Sequence, residues 1–186
     1  MHSLDKDANI ILIGMPGVGK STCMKAASEA KQLKIINFGD FMFEVAHDMG
    51  ITDRDLIRKE PLDRQKELQR RAAVKIQRMD NILVDTHCMI KTDRGFFPGL
   101  PAWVIQKLEP VTIFLIEAEP TEIIARRHKD GSRFRDRDTE EVIALHQSLN
   151  RMAAVSYAAL SGASIKIIVN SDGKLEESVK EVLATL

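Results

Sequence analysis

The chain has 186 residues, a length that suits one compact domain with a substantial buried core. Its 27 lysine and arginine residues balance 27 aspartate and glutamate residues, so no overall positive field would attract a nucleic-acid backbone or an anionic membrane, although a local basic cleft is compatible with this balance. Two cysteines, Cys23 and Cys88, are too few for a four-thiolate zinc site, and no apolar run approaches the length of a membrane span.

Along the chain, short apolar runs alternate with longer segments of helical periodicity. Residues 1–9 carry charges and lack the apolar core of a signal peptide, so we expect a soluble intracellular domain with reduced thiols. The apolar runs are 10–13, 34–38, 82–84, 111–116 and 165–169. Their continuous Ile, Val and Leu content is typical of strands buried on both faces of a parallel sheet. The alternation predicts right-handed βαβ units and an α/β fold.

Four apolar stripes at helical spacing predict amphipathic helices. They are Met42, Val45, Ala46 and Met49; Leu68, Ala72, Ile76 and Met79; Val142, Leu145, Leu149 and Met152; and Leu175, Val179, Val182 and Leu186. Gly50 is expected to end the first helix and Pro61 to occupy the first turn of the second. Asp138 and Glu141 are spaced like a capping box before the third, whose apolar face is interpreted as core, with an interface as the alternative.

The most specific motif is a glycine-rich loop between the first strand and the first helix. Residues 14–21 match the pattern G-x-x-x-x-G-K-[ST], directly after the run 10–13 and before a helical stretch. Glycines let successive backbone N–H groups turn toward a phosphate, and the helix N-terminus adds positive partial charge. Lys20 would bridge the β- and γ-phosphates, and the Ser21 hydroxyl would ligate Mg²⁺. The predicted triphosphate site consists of Gly14, Met15, Pro16, Gly17, Val18, Gly19, Lys20 and Ser21.

Asp85 follows the apolar run 82–84 directly. In P-loop folds the strand beside the first one ends close to the metal, so Asp85 is predicted to hold Mg²⁺ directly or through water. A helix cap or a surface carboxylate is the alternative. His87 lies two residues further on, and both a structural hydrogen bond and a substrate contact remain open for it.

A short segment concentrates guanidinium groups. It contains Arg126, Arg127, Arg133, Arg135 and Arg137, interspersed with aspartates and Gly131. Guanidinium groups suit phosphate oxygens, and a loop that covers ATP would exclude water from the reaction. We therefore interpret residues 126–138 as a catalytic lid, with a solvated polar loop as the alternative. Arg54 and Arg58 add positive charge elsewhere, which favours a phosphate acceptor over a hydroxyl, although both could decorate a helix surface.

Taken in order, these motifs resemble those of the archaeal-type adenylate kinases over nearly the whole chain. The resemblance is carried by GMPGVGKST at 14–22, NFGDFMFEVA at 37–46, DRDLIRK at 53–59, VDTHCMIKT at 84–92, GFFPGLP at 95–101, RFRD at 133–136 and SYAALSGASIKIIVN at 156–170. The P-loop is shared with many unrelated NTPases, whereas DTHxxIKT together with PGLP is much more particular.

The resemblance implies a three-layer P-loop fold in which helices flank a five-stranded parallel sheet. It implies one domain over 1–186, with an NMP-binding region at about 37–66 and a lid at about 126–139. It further implies the Mg²⁺-dependent reaction ATP + AMP ⇌ 2 ADP, a cytoplasmic location and a homotrimer, without nucleic-acid or membrane partners.

The resemblance also assigns site residues. The catalytic residues would be Lys20, Asp85, Arg133 and Arg135. The ATP site would consist of residues 14–22, which now include Thr22, together with Arg126 and Asn170. The AMP site would consist of Gly39, Arg58, His87 and Lys91, and Ser21 and Asp85 would bind the metal. Two positions depart from the broader adenylate kinase pattern. Phe43 stands where an arginine is usual, and no arginine follows Asp85-Thr86-His87 closely. The lid lacks the four cysteines of zinc-binding lids.

Two other functions remain open at this point. One is a P-loop kinase for another nucleotide or a metabolite hydroxyl, and the other is an ATP-hydrolysing switch module. A switch would need a water-orienting residue or a basic surface, and the sequence shows neither clearly. A structural protein with a relic nucleotide site is disfavoured because Lys20 and Ser21 are both present.

Overall fold

A computed structural model of the chain describes residues 9–92, 95–129 and 138–186. The strands of the described part are β1 (Ile10–Ile13), β2 (Lys34–Asn37), β3 (Ile82–Thr86), β4 (Met89–Thr92), β5 (Gly95–Pro98), β6 (Thr112–Glu117) and β7 (Ser164–Val169). Its α-helices are α1 (Lys20–Lys31), α2 (Phe38–Asp48), α3 (Leu62–Ile76), α4 (Ala102–Leu108), α5 (Pro120–Lys129), α6 (Glu140–Ser161) and α7 (Leu175–Thr185), and a 3-10 helix spans Arg54–Lys59. None of the helices in these ranges is long and apolar enough to span a bilayer.

Five of the strands form one parallel sheet in the order β2-β3-β1-β6-β7, which confirms the predicted fold class. β1 lies at its centre, and all four of its side chains are inaccessible to solvent. Ile11 and Ile13 pack into one core with α3, α4 and α6, whereas Ile10 and Leu12 pack into a second core with α1, α5 and α7. Since both faces of β1 are covered, its sequence is continuously apolar rather than alternating.

A third, smaller core joins α2, the 3-10 helix and α3. It contains Val45, Ala46, Ile51, Ile57 and Leu68. β4 and β5 form a separate antiparallel pair that the sequence did not predict. The carboxyl ends of the parallel strands share one edge, where Asp85 of β3 is in register with Leu12 of β1 and with Asn37 of β2. Ligands of open α/β sheets bind at this kind of edge.

The sequence misplaced two helix starts. Pro61 precedes α3 as its N-cap instead of lying in the first turn. α6 is capped by Thr139, whose hydroxyl accepts a hydrogen bond from the Val142 N–H at 3.4 Å, and not by Asp138. Asp138 has other partners, described below.

The predicted apolar stripe of α6 was also wrong. Leu145 and Met152 are 54% and 60% exposed. The buried face consists of Ile143, His146, Asn150, Ala154 and Tyr157. The helix buries polar side chains here because they bond to the backbone of a neighbouring segment, a pairing that apolar periodicity cannot reveal.

Candidate active site

The glycine-rich loop connects the central strand β1 to α1 at the carboxyl edge of the sheet. Gly14, Gly17 and Gly19 all have positive φ. Gly19 is the left-handed N-cap of α1, and a Cβ on it would overlap the amide of Asn170. This position therefore admits only glycine, and the N-terminal N–H groups of α1 open at the same edge.

The loop side chains differ in what they offer a ligand. Met15 and Val18 are buried in the core, so only their backbones are available. Ser21 and Thr22 are exposed in the first turn of α1. The structure thus gives the predicted ATP loop inward-packed apolar side chains and outward hydroxyls, as a phosphate cradle requires.

Lys20 lies against the end of β3. Its ammonium donates a hydrogen bond to the Thr86 carbonyl at 3.0 Å and is 3.1 Å from Asp85 Oδ1. Asp85 Oδ2 accepts a hydrogen bond from Asn37 Nδ2 at 3.0 Å. The structure therefore brings Lys20 and Asp85, both predicted catalytic residues, into direct contact.

The donor set at this point fits a magnesium ion. Asp85 Oδ1 is buried and accepts no hydrogen bond from the described residues, since the nearby Lys20 ammonium makes a charge contact without hydrogen-bond geometry. The Ser21 hydroxyl is exposed one residue after Lys20. Carboxylate and hydroxyl oxygens are the hard donors that Mg²⁺ prefers, so Asp85 and Ser21 are chemically suited to the ion.

Arg126 and Asn170 bind the loop from the opposite side to Asp85. Asn170 Nδ2 donates to the Val18 carbonyl at 2.8 Å. Arg126 donates to the carbonyl of Asn170 at 2.8 Å and pairs with the Asp172 carboxylate at 2.6 Å. These contacts place both predicted ATP residues beside the P-loop, at the end of β7.

Gly39 lies in the first turn of α2, close to a charged pair. A Cβ on Gly39 would stand 2.6 Å from Arg54 Nη2, and Arg54 pairs with Asp40 at 2.6 Å. Any larger residue at position 39 would push Arg54 away from Asp40. The side chain of Arg58, a predicted AMP contact, lies outside the described residues.

Lys91 projects from β4 to the start of α6. Its ammonium donates to Asp138 Oδ1 at 2.7 Å, while Arg127 Nη1 donates to Asp138 Oδ2 at 3.0 Å. Arg127 Nε also donates to the Pro16 carbonyl of the P-loop at 3.0 Å. Burial would raise the pKa of Asp138, but the hydrogen bonds from Lys91 and Arg127 outweigh it and hold that pKa below its ordinary value.

Three buried side chains of α6 hold the segment that leads from β3 to β4. His146 Nε2 lies 2.9 Å from the Met89 carbonyl, Asn150 Oδ1 accepts from the Met89 N–H at 3.1 Å, and Tyr157 donates to the Cys88 carbonyl at 2.9 Å. Burial lowers the pKa of His146 and raises that of Cys88 to about 12. His87, in the same segment, is exposed.

The predicted lid is only partly visible. Arg133 and Arg135 fall within residues 130–137, which lie outside the described part, so their predicted catalytic role stays a prediction. The described residues of the segment predicted to be a lid are the end of α5 and the residues before α6. They contribute Arg126, Arg127 and Asp138 to the edge of the sheet.

Comparison with known proteins decides the family. A family model described as an AAA domain matches residues 13–144. The chain is 48% identical to the adenylate kinase of Methanopyrus kandleri, with 95% of this chain and 96% of the relative covered. It is 50% identical to that of Pyrococcus furiosus (95% and 94% covered) and 46% identical to that of Methanocaldococcus jannaschii (97% and 99% covered).

The chain belongs to the adenylate kinase family.

Solved structures confirm the fold independently. Shikimate kinase from Bacteroides thetaiotaomicron has a TM-score of 0.61 at 16% identity, with 96% of this chain and 99% of that chain covered. The shikimate kinase of Aquifex aeolicus has a TM-score of 0.60 at 20% identity, with 95% of each chain covered. The α/β P-loop architecture is therefore shared well beyond the adenylate kinase family, while the family itself is shown by sequence.

Sequence reasoning missed three polar residues of this edge. Asn37 caps α2 through its Oδ1 and bonds Asp85 through its Nδ2. An asparagine directly after a strand and before a helical pattern was the available signal. Arg127 was predicted only as part of the arginine-rich lid, and Asp138 was assigned to the same lid and to a capping box. Nothing in their spacing indicates that they meet Lys91, which lies 47 residues before Asp138.

Proposed function

We propose that the chain catalyses reversible transfer of the γ-phosphoryl group of ATP to AMP, giving two ADP, with Mg²⁺ accompanying ATP. The observation that carries the proposal is the meeting of two cation-bearing segments at one sheet edge. The P-loop with Lys20 supplies the donor side, and β4 with Lys91 supplies the acceptor side. The adenylate kinases that are 46–50% identical over nearly the full chain give the substrates.

The donor site would be formed by residues 14–22, Arg126 and Asn170. Backbone N–H groups of the loop and of the α1 N-terminus would bind the polyphosphate, and Lys20 would neutralise its terminal charge. Ser21 and Asp85 would hold Mg²⁺, which shields the phosphate charge when bound. Thr22 and Ser21 offer exposed hydroxyls at the point where the phosphates would enter.

The acceptor site would be formed by Gly39, Arg58, His87 and Lys91, in and around an NMP-binding region at about 37–66. The small core of α2, the 3-10 helix and α3 supports treating that region as a unit with its own packing. An acceptor phosphate is already an anion, so this site needs orientation and positive charge rather than a general base. Arg133 and Arg135, in a lid over about 126–139, would stabilise the transferring phosphoryl group.

We further propose an archaeal-type, cytoplasmic homotrimer. Relatives from Methanopyrus, Methanocaldococcus and Pyrococcus support the type. Self-association is supported by the exposed apolar residues of α6, namely Leu145, Met152, Val155 and Leu160, which are 46–60% exposed. Contiguous exposed apolar residues of this kind mark protein interfaces.

The test is ADP formation from ATP in the presence and absence of AMP, followed by the same assay with CMP, GMP and UMP. We expect ADP formation to require AMP and to fall at least about tenfold with the other acceptors, since a missing or mismatched polar contact in a base pocket costs that much. ATP hydrolysis that proceeds equally without AMP would support a switch ATPase instead. A preference for another NMP would overturn AMP as the acceptor.

A further inference from the structure

Asp138 forms ion pairs with two different cations, one on each of its carboxylate oxygens. Each of its two carboxylate oxygens faces a different cation, Lys91 Nζ at 2.7 Å and Arg127 Nη1 at 3.0 Å. The side chains of Asp138 and Arg127 are only 10% and 12% exposed. The Arg127–Asp138 hydrogen bond is therefore strong and directional, whereas Lys91 is 41% exposed, so solvent screens its hydrogen bond to Asp138 more.

The two cations belong to different sides of the proposed reaction. Arg127 is fixed to the donor loop because its Nε donates a hydrogen bond to the Pro16 carbonyl. Its side chain also packs closely on the loop, since a Cβ built on Gly17 would lie 3.3 Å from Arg127 Cγ. Lys91 is on β4, two residues after Met89, whose backbone is held by His146 and Asn150. Both supports are rigid elements or their termini, so the carboxylate joins two well-anchored groups.

Like charges that approach one site repel each other unless an anion lies between them. A carboxylate that binds both also fixes their separation, since each oxygen accepts one hydrogen bond in a defined direction. The transferred phosphoryl group must pass from the P-loop side to the acceptor side, so the spacing of cations along that path affects the rate directly.

We propose that Asp138 is a positioning residue for phosphoryl transfer, which sets the spacing between Arg127 on the donor side and Lys91 on the acceptor side. The inference rests on the proposed function and adds a residue that motif reasoning assigned to helix capping. Asp138 does not need to touch substrate for this role. It acts through the two cations that it binds.

The first experiment is the Asp138→Asn variant of the full chain, measured for kcat, for KM of ATP and AMP, and for Tm. The amide keeps the size of the side chain but replaces one acceptor oxygen with an NH2 donor, so it cannot accept from Lys91 on one terminal atom and from Arg127 on the other. We expect kcat to fall by ~10²-fold, the usual consequence of misplacing groups around a reaction centre. Because the site loses a negative charge, KM for both anionic substrates should stay equal or decrease. Glu67→Gln is the matched control. Glu67 pairs with Arg71 at 2.7 Å on α3, and its replacement should leave kcat and both KM values unchanged.

The second experiment is a double-mutant cycle with Lys91→Met. If Asp138 acts through Lys91, the double variant should lose about as much kcat as the more damaging single variant, and the effects should not multiply. Asp138→Glu retains the charge and both acceptor oxygens, so it should recover part of the lost kcat. Should Asp138→Asn fail to fold, Asp138→Ser replaces it: a folded protein whose kcat falls by about tenfold or more without a matching rise in KM supports the role, and a smaller fall in kcat overturns it.

The outcomes separate this inference from the proposed function. A parent enzyme without AMP-dependent ADP formation overturns both. An active parent with an equally active Asp138→Asn variant overturns only the positioning role. Multiplicative losses in the cycle, or a rise in KM that matches the fall in kcat, also overturn it, because they indicate an independent contribution to stability or binding.

Discussion

Individual residues of the proposed donor site combine charge with defined contacts. Lys20 was identified from the P-loop motif alone, and Asp85 from its position after a strand. Their contact at 3.1 Å follows from the register of β1 and β3, because Leu12 pairs with Asp85. Sequence reasoning could reach this pair because both members lie next to strand ends. It placed Asp138 in the predicted lid and in a capping box, but it could not show that Asp138 contacts Lys91, which lies 47 residues earlier in the chain.

Replacing Lys20 tests the donor site most simply. We expect Lys20→Ala to lower kcat by about 10²-fold or more, the scale seen when one preorganised charge is removed from an active site. Steady-state ADP formation measures the loss. The control is Lys25→Ala. Lys25 is 77% exposed on α1, and its ion pair with Glu29 is long, at 4.0 Å, so its loss should leave kcat unchanged. A Lys20→Ala enzyme within a few-fold of the parent would remove the P-loop from the mechanism.

Replacing Asp85 tests the metal assignment. Asp85→Asn keeps an oxygen that can accept from Asn37 but loses the charge that attracts Mg²⁺. We expect the Mg²⁺ concentration for half-maximal rate to rise by about tenfold, equivalent to roughly 1.4 kcal/mol. Magnesium titrations at saturating nucleotide measure it, with Asp80→Asn, an exposed residue before β3, as the control. An unchanged titration curve would exclude Asp85 from the metal site.

At the scale of elements, α6 shows where apolar periodicity misleads. The stripe through Leu145 and Met152 is regular, yet both residues are exposed, and the buried face carries His146, Asn150 and Tyr157. Those three side chains satisfy backbone groups of Cys88 and Met89 at the start of β4, so hydrogen bonds stabilise their burial. A pattern of apolar residues can identify such a helix but not its inward face.

His146 gives this arrangement a pH dependence. Burial is the main cause that lowers its pKa below 6.5, the ordinary value. As the pH falls from 6.5 toward the folded-state pKa, the unfolded chain binds a proton that the folded chain does not, so stability decreases in that window. We expect His146→Gln to flatten the decline of Tm between pH 6.5 and 5. Thermal unfolding of the parent and of His146→Gln at several pH values measures this decline. The difference in Tm between the two proteins at pH 8, where His146 is neutral in both states, controls for lost packing. Parallel Tm curves at all pH values would argue against a buried neutral His146.

At the scale of the whole molecule, the fold could be predicted almost completely for the parallel sheet. Each of its five strands coincides with an apolar run to within two residues. Burial on both faces explains the apolar sequences of β1 and β6, whereas the edge strands β2 and β7 are apolar although partly exposed. The β4–β5 pair was missed because its residues are partly exposed and its sequence shows neither the alternation of a half-buried strand nor a continuous apolar run. The predicted apolar stripes were all expected to be buried, whereas the stripe of α6 that contains Leu145 and Met152 is exposed.

That exposed face predicts self-association. We expect Met152→Lys combined with Val155→Lys to shift the protein toward monomers, since unpaired like charges buried in an apolar interface cost several kcal/mol. Light scattering after size-exclusion chromatography measures the mass. Leu62→Lys, at a position 46% exposed on α3, is the control. A parent protein that is monomeric at all concentrations would contradict the homotrimer.

The central claim is that donor and acceptor phosphates meet at the carboxyl edge of the sheet, between the P-loop and β4. A crystal structure with Mg²⁺ and a bisubstrate analogue, two adenosines joined by five phosphates, tests it most directly. We expect one end in the loop 14–22 with its base near Arg126 and Asn170, and the other end near Gly39 and Lys91. Phosphates bound away from the loop, or an acceptor end far from β4, would contradict it.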